Sequence, residues 1–112
     1  MQTYPRKEVG ANIWLGTFGN PADPLVVVGS YGVKESAVSH PAAGIVDVDI
    51  VQGLGTKEEV WEATVAGTAA AGIVVVNSTD ADTKRFLVFD KDGVALDAVY
   101  IKILGIRIGP LV

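Results

Sequence analysis

The clearest pattern in the chain is an alternation of apolar and acidic residues in IVDVDIV, residues 45–51. Val46, Val48 and Ile50 fall on one side of an extended strand, and two aspartates fall on the other. The segments LVVVGSYGV (25–33) and RFLVFD (85–90) are rich in β-branched or aromatic residues, which favour strands. GIVVVN (72–77) is apolar on both faces, as in a central strand.

Residues 52–67, QGLGTKEEVWEATVAG, fit two different structures. Thr56 and Glu59 have the spacing of a capping box, and Gly67 stands where a glycine would end a helix over 57–66. From residue 60 onward, however, VWEATV alternates with period two, and Val, Trp and Thr favour strands. Both structures remain open from the sequence, with the strand favoured.

The last apolar run, residues 94–109, is long for so small a domain. Its apolar positions include Ile103 and then Ile106 and Ile108, so the pattern slips by one residue. This slip predicts a β-bulge at residues 104–105. A strand longer than about ten residues would overhang the sheet of a small domain, and its free end would invite pairing with another chain.

Residues 1–24 carry three of the five prolines and surround a short apolar centre with glycines. This composition predicts an extended N-terminal arm over 1–24, followed by a single β-rich domain over 25–112. We expect the arm and the C-terminal IRIGPLV to contact other subunits, since neither has an evident place in a small core. The candidate assembly contacts are Ile13, Trp14, Leu15, Phe18, Ile106, Ile108 and Leu111.

The 112 residues are enough for one domain. The strand-like segments predict a mainly antiparallel β-sandwich or barrel of about six to eight strands, with at most one short helix at 57–66. The expected core consists of Val26, Val28, Val46, Val48, Ile50, Val74, Val76, Leu87, Phe89, Ile101 and Ile103.

Composition argues against several function classes. The net charge is −4 and the basic residues are scattered, whereas nucleic-acid binding concentrates Lys and Arg on one surface. Without cysteine there is no disulfide and no thiolate metal site. The N-terminus has no apolar signal segment, so we expect synthesis in the cytoplasm, and no apolar run is long enough to span a membrane.

The candidate chemical motifs are incomplete. Asp47 and Asp49 share a strand face, but a solvated sheet face accounts for them better than a shared proton or metal. Residues 90–93, DKDG, predict a hairpin turn, because a calcium loop aligned on them would place valines at its first and last ligand positions. His40, the single histidine, precedes a proline and is expected at the surface rather than as a catalytic base.

The glycine loop at residues 53–59 fits neither common nucleotide motif. Glu58 occupies the third glycine position of a dinucleotide fingerprint, and the Gly-Lys-Ser/Thr order of a P-loop is absent. We therefore expect no cofactor and no bound metal.

Two segments carry a family resemblance. DPLVVVGSYGV (23–33) and TKRFLVFDKDGVALDAVYIKI (83–103) resemble segments of small structural proteins of tailed bacteriophages, in particular head decoration (cement) proteins. The resemblance covers about a third of the chain. It implies a virion location, binding to a capsid protein and self-association into a homo-oligomer of three or more copies, and it implies no active-site residues.

The sequence therefore leaves two function hypotheses. The first is a non-enzymatic structural or assembly protein, such as a capsid decoration subunit that stabilises a particle through subunit contacts. The alternative is a carbohydrate- or ligand-binding β-sandwich module that uses exposed aromatic residues as a platform. An enzyme is disfavoured because no nucleophile or acid–base pair emerges from the spacing.

Overall fold

A computed structural model describes residues 3–33, 38–50, 58–77 and 83–111 of the chain. These residues form eight β-strands and no helix. The strands are β1 (Arg6–Leu15), β2 (Val26–Tyr31), β3 (Ser39–Ala42), β4 (Ile45–Asp49), β5 (Glu58–Ala66), β6 (Ala70–Asn77), β7 (Thr83–Asp90) and β8 (Val99–Ile108).

The strands form two four-stranded antiparallel sheets, ordered β2-β1-β8-β5 and β3-β4-β7-β6. We call them the first and the second sheet. Their apolar inner faces pack against each other, which confirms the predicted antiparallel β-sandwich. Within the described ranges, no helix is long and apolar enough to cross a membrane.

Strand β5 decides between the two structures that residues 52–67 allowed. It alternates between exposed and half-buried positions along its whole length and pairs with β8 from Glu58↔Ile108 to Ala66↔Tyr100. The helical alternative is therefore wrong for residues 58–66, where the strand instead places Trp61, Ala63 and Val65 together against the core. The glycine loop itself falls in 51–57, outside the described residues.

The N-terminal segment requires a correction. Residues 6–15 form β1, an inner strand of the first sheet, paired with β2 on one side and β8 on the other. Its inward positions, Val9, Ala11, Ile13 and Leu15, are buried in the core. Residues 6–15 are thus part of the domain rather than an arm beside it, because a strand in the middle of a sheet is hydrogen-bonded on both edges.

Strand β8 also differs from its prediction. It pairs without a register shift with β1, from Val99↔Leu15 to Ile108↔Arg6, and likewise with β5. There is no bulge at 104–105 and no overhang, so the backbone of residues 99–108 is not free to pair with another chain. The inward face continues instead through Gly105 to Arg107, which is buried.

The core is only partly the expected one. Val46, Val48, Ile50, Ile101 and Ile103 are buried as predicted, whereas Val26, Val28, Val74 and Val76 are exposed. In β7 the inward residues are Phe86 and Val88 rather than Leu87 and Phe89. Strands with apolar residues on both faces give no periodic signal of which face is buried, and this ambiguity caused the errors.

The predicted turn at 90–93 is present. The Asp90 side chain accepts hydrogen bonds from the backbone N–H groups of Asp92 and Val94, and Gly93 has a φ of 78°, which glycine adopts without strain. The turn closes a short hairpin, in which Phe89 and Ala95 form an antiparallel bridge and the N–H group of Leu96 donates to the carbonyl of Val88. The chain crosses from β7 in the second sheet to β8 in the first, and the two strands are not neighbours in either sheet.

Candidate functional site

The outward-facing side of the first sheet, here called the outer face, is the most distinctive surface of the molecule. Register places its side chains in rows across β1, β8 and β5. From one end to the other, the rows are Arg6–Ile108–Glu58, Glu8–Ile106–Val60, Gly10–Leu104–Glu62, Asn12–Lys102–Thr64 and Trp14–Tyr100–Ala66. Strand β2 adds Val26 and Tyr31 through its pairing with β1, and Val28, which lines a groove with Asn12 and Tyr100.

Large apolar side chains on this face are exposed. The exposed fraction is 70% for Val60, 65% for Val28, 58% for Tyr100 and 54% for Tyr31. Scattered apolar residues are normal on a surface, but contiguous ones commonly mark an interaction site. The outer face therefore presents more apolar surface than a solvated sheet face requires.

A groove of about 310 Å³ runs along the Glu8–Ile106–Val60 end of the outer face. Tyr31 and Val60 lie on either side of it, and Leu104 and Ile106 contribute its apolar floor. We call Tyr31, Val60, Leu104, Ile106 and Ile108 the apolar patch. The charged side chains around the patch include both signs. Arg6 and Lys102 are basic, and Glu8, Glu58 and Glu62 are acidic.

Tyr31 has its position because Gly10 has no side chain. The two residues are cross-strand partners, and a Cβ added to Gly10 would lie 2.4 Å from Tyr31 Cζ. The tyrosine ring thus covers the β1 backbone and forms one wall of the groove. Any larger residue at position 10 would push the ring away.

The candidate assembly contacts lie in four different parts of the fold. Ile13 and Leu15 have no exposed surface, so they stabilise the core of their own domain and cannot contact another subunit in the folded state. Phe18 is half exposed in the loop after β1, and Leu111 is 78% exposed near the C-terminus. Three candidates lie together on the outer face, namely Trp14, Ile106 and Ile108.

His40 is not the surface residue that the sequence suggested. Its side chain is only 9% exposed, and its Nε2 lies 2.9 Å from Asp97 Oδ1. Asp97 also accepts hydrogen bonds from the backbone N–H groups of Gly44 and Phe18. The carboxylate thereby joins the loop after β1, the β3–β4 turn and the segment before β8, which is a structural role.

A charged cluster lies between the two sheets and consists of Glu59 on β5, Lys84 on β7 and Arg107 on β8. Glu59 is 2.7 Å from both Lys84 Nζ and Arg107 Nε, and both cationic side chains are almost fully buried. Burial opposes the ionisation of Glu59, but the hydrogen bonds and charges of Lys84 and Arg107 outweigh it and hold its pKa below the ordinary value. The sequence did not predict this cluster, although each of its three residues occupies an inward-facing position of its strand.

Asp47 and Asp49 do not form a joint site. Arg85 donates two hydrogen bonds to Asp47, at 2.8 and 2.9 Å, and Thr83 donates one to Asp49. Each aspartate is thus satisfied by its own partner on β7, as expected for a solvated sheet face. In the described ranges, no group of three or more acidic or histidine side chains is arranged to hold a metal ion.

Comparison with known proteins adds no relative. The chain matches no family model, no curated protein and no solved structure.

Proposed function

We propose that this chain is a non-enzymatic assembly subunit that associates with copies of itself through the apolar patch. The exposed apolar residues around the groove, above all Val60 and Tyr31, carry the proposal. Covering them would remove apolar surface from water at about 25 cal/mol for each Å². The mixture of basic and acidic side chains around the patch suits contact between neighbouring copies in a ring of three or more, because each copy offers both signs.

The wider assembly is a homo-oligomer of three or more copies that decorates and stabilises a larger particle, such as a bacteriophage capsid. Support for this part comes from the resemblance of residues 23–33 and 83–103 to decoration proteins. In the fold these residues are the strand β2 with its flanks and the β7–turn–β8 segment.

A structural role also agrees with the chemistry of the side chains. His40 is held by Asp97, and no hydroxyl group in the described part of the chain lies within hydrogen-bonding distance of the imidazole. A general base needs such a group or its substrate within about 3 Å. The His40–Asp97 pair is therefore better suited to holding loops together than to catalysis.

A matched pair of substitutions tests the proposal. Val60→Lys places a charge in the apolar patch, whereas Val74→Lys places the same charge on the outward side of the second sheet, where Val74 is 45% exposed. Sedimentation velocity should show that V60K lowers the mass of the oligomer and that V74K does not. Equal masses for both variants and the wild type would show that the apolar patch is not the interface.

A further inference from the structure

The opposite end of the outer face carries an ordered aromatic pair. The ring centroids of Trp14 and Tyr100 are 4.6 Å apart at an interplanar angle of 50°. Trp14 Nε1 donates a hydrogen bond of 2.9 Å to Asp23, and this bond, followed by those from Thr17, lowers the pKa of the Asp23 carboxyl. The pair is held in place, and Tyr100 keeps more than half of its surface exposed.

A row of three polar side chains lies beside this pair. Asn12, Lys102 and Thr64 are cross-strand partners on β1, β8 and β5, two residues along each strand from the aromatic row. All three side chains are exposed, and none of them has a hydrogen bond or ion pair with any described residue. Together with Val28 and Tyr100 they line a groove of about 350 Å³.

We propose that this groove is a binding site for a neutral pyranose sugar. The apolar C–H face of the sugar ring packs on Tyr100, since aromatic rings combine a large apolar surface with a defined orientation. The Asn12 amide and the Thr64 hydroxyl can each donate and accept hydrogen bonds, and the Lys102 ammonium donates, which matches the hydroxyl groups of a sugar. A few convergent polar groups beside an apolar surface are typical of ligand sites.

The neutral character of the ligand follows from Glu62. Its carboxylate shares a second, smaller groove of about 200 Å³ with Thr64 and Lys102. An acidic sugar would meet this negative charge as well as the lysine, so the two effects oppose each other. A neutral sugar has no such penalty and uses Lys102 only as a hydrogen-bond donor.

The site borders the apolar patch, since Leu104 lies in the row next to Asn12, Lys102 and Thr64. Val60 lies one row farther away, so Val60→Lys leaves the side chains of the groove in place. The V60K variant, which disrupts the apolar patch, should therefore bind sugar as the wild type does. A loss of assembly with retained sugar binding, or the reverse, distinguishes the two proposals.

Titration of the full chain with cellohexaose, maltohexaose and chitohexaose tests the inference, with isothermal calorimetry for affinity and amide chemical shifts for location. At least one of the three should bind and shift the amides of Asn12, Thr64 and Lys102. Tyr100→Ala should weaken that binding about tenfold, and the exposed Thr64→Ala about threefold, which keeps the test valid if Y100A misfolds. Val74→Ala, at an exposed position on the outward side of the second sheet, is the control and should bind unchanged.

Absence of binding for all three oligosaccharides would overturn the proposal. It would also be overturned if a sugar bound without shifting those three amides, or if folded Y100A and T64A bound it with the same affinity as the wild type.

Discussion

Glu59 accepts a hydrogen bond from Arg107 at 2.7 Å in the interior of a sandwich that is otherwise apolar. The same carboxylate lies 2.7 Å from Lys84, so two buried cations on different sheets share one anion. An ion pair in the interior gains little net free energy when intact, but removal of one partner leaves a buried charge without compensation. The cluster therefore ties the two sheets together at this end.

Glu59→Gln should lower the free energy of unfolding at neutral pH by about 3 kcal/mol, because it removes the charge shared by Lys84 and Arg107. Glu62→Gln, an exposed position on the same strand, is the control and should change it by less than about 0.5 kcal/mol. Urea denaturation of the two variants measures both values. A similar effect for the two would show that the buried cluster contributes nothing.

The pH dependence of stability follows from the lowered pKa of Glu59. A carboxyl whose pKa is lower in the folded protein binds its proton less tightly there than in the unfolded chain. Its stabilising contribution is complete above the unfolded pKa of about 4.3 and is lost as the pH falls through the lower folded value. The wild type should thus lose stability over this acidic range more steeply than E59Q, as thermal unfolding at a series of pH values would show.

Gly105→Ala should destabilise the domain more than Gly10→Ala. A Cβ at Gly105 would lie 2.5 Å from the Trp61 ring, which packs between the sheets against Phe86, so the cost is about 1–3 kcal/mol. At Gly10 the obstacle is the half-exposed Tyr31, which can rotate away. Chemical denaturation should give this order, and Tyr31→Ala should remove most of the cost of G10A. A larger cost for G10A would contradict the packing described here.

Asp97→Ala should destabilise the protein by about 2–3 kcal/mol, because the backbone N–H groups of Gly44 and Phe18 lose their acceptor. Hydrogen exchange at these two amides should accelerate more than exchange in β8. Asp92→Ala, in the exposed turn after β7, is the control. Unchanged exchange at Gly44 and Phe18 would refute the role of Asp97 in joining the loops.

Deletion of residues 1–12 is expected to unfold the protein rather than merely weaken its association. The deletion removes most of β1, including the buried Val9 and Ala11, and leaves β2 paired only with the short remnant that starts at Ile13. Circular dichroism should show loss of the strand signal. A folded truncated protein would mean that β1 is replaceable in the first sheet.

The alternation of apolar and polar residues allowed part of the fold to be predicted from the sequence. Val46 and Val48 alternate with acidic residues, and Trp61 and Val65 alternate with polar ones, so both segments were recognisable as half-buried strands. Strand β1 was missed because its glycine and its proline-rich surroundings resemble an irregular segment, although the glycine is needed to accommodate Tyr31.

The candidate site was harder to predict because it depends on register. Trp14 and Tyr100 are 86 positions apart in the chain and meet only because β1 and β8 are paired. Buried cations such as Arg107 break the apolar pattern of a strand, and in the sequence such a break resembles a bulge. When a polar residue occupies an inward-facing position of a strand, the neighbouring sequence does not show which residue will be its partner.

The mass of the wild-type protein in solution tests the central claim most directly. Sedimentation equilibrium across a range of concentrations should give a species of at least three times the chain mass of 11.7 kDa. A single species of 11.7 kDa at every concentration would contradict the assembly role and leave the apolar patch without its proposed partner.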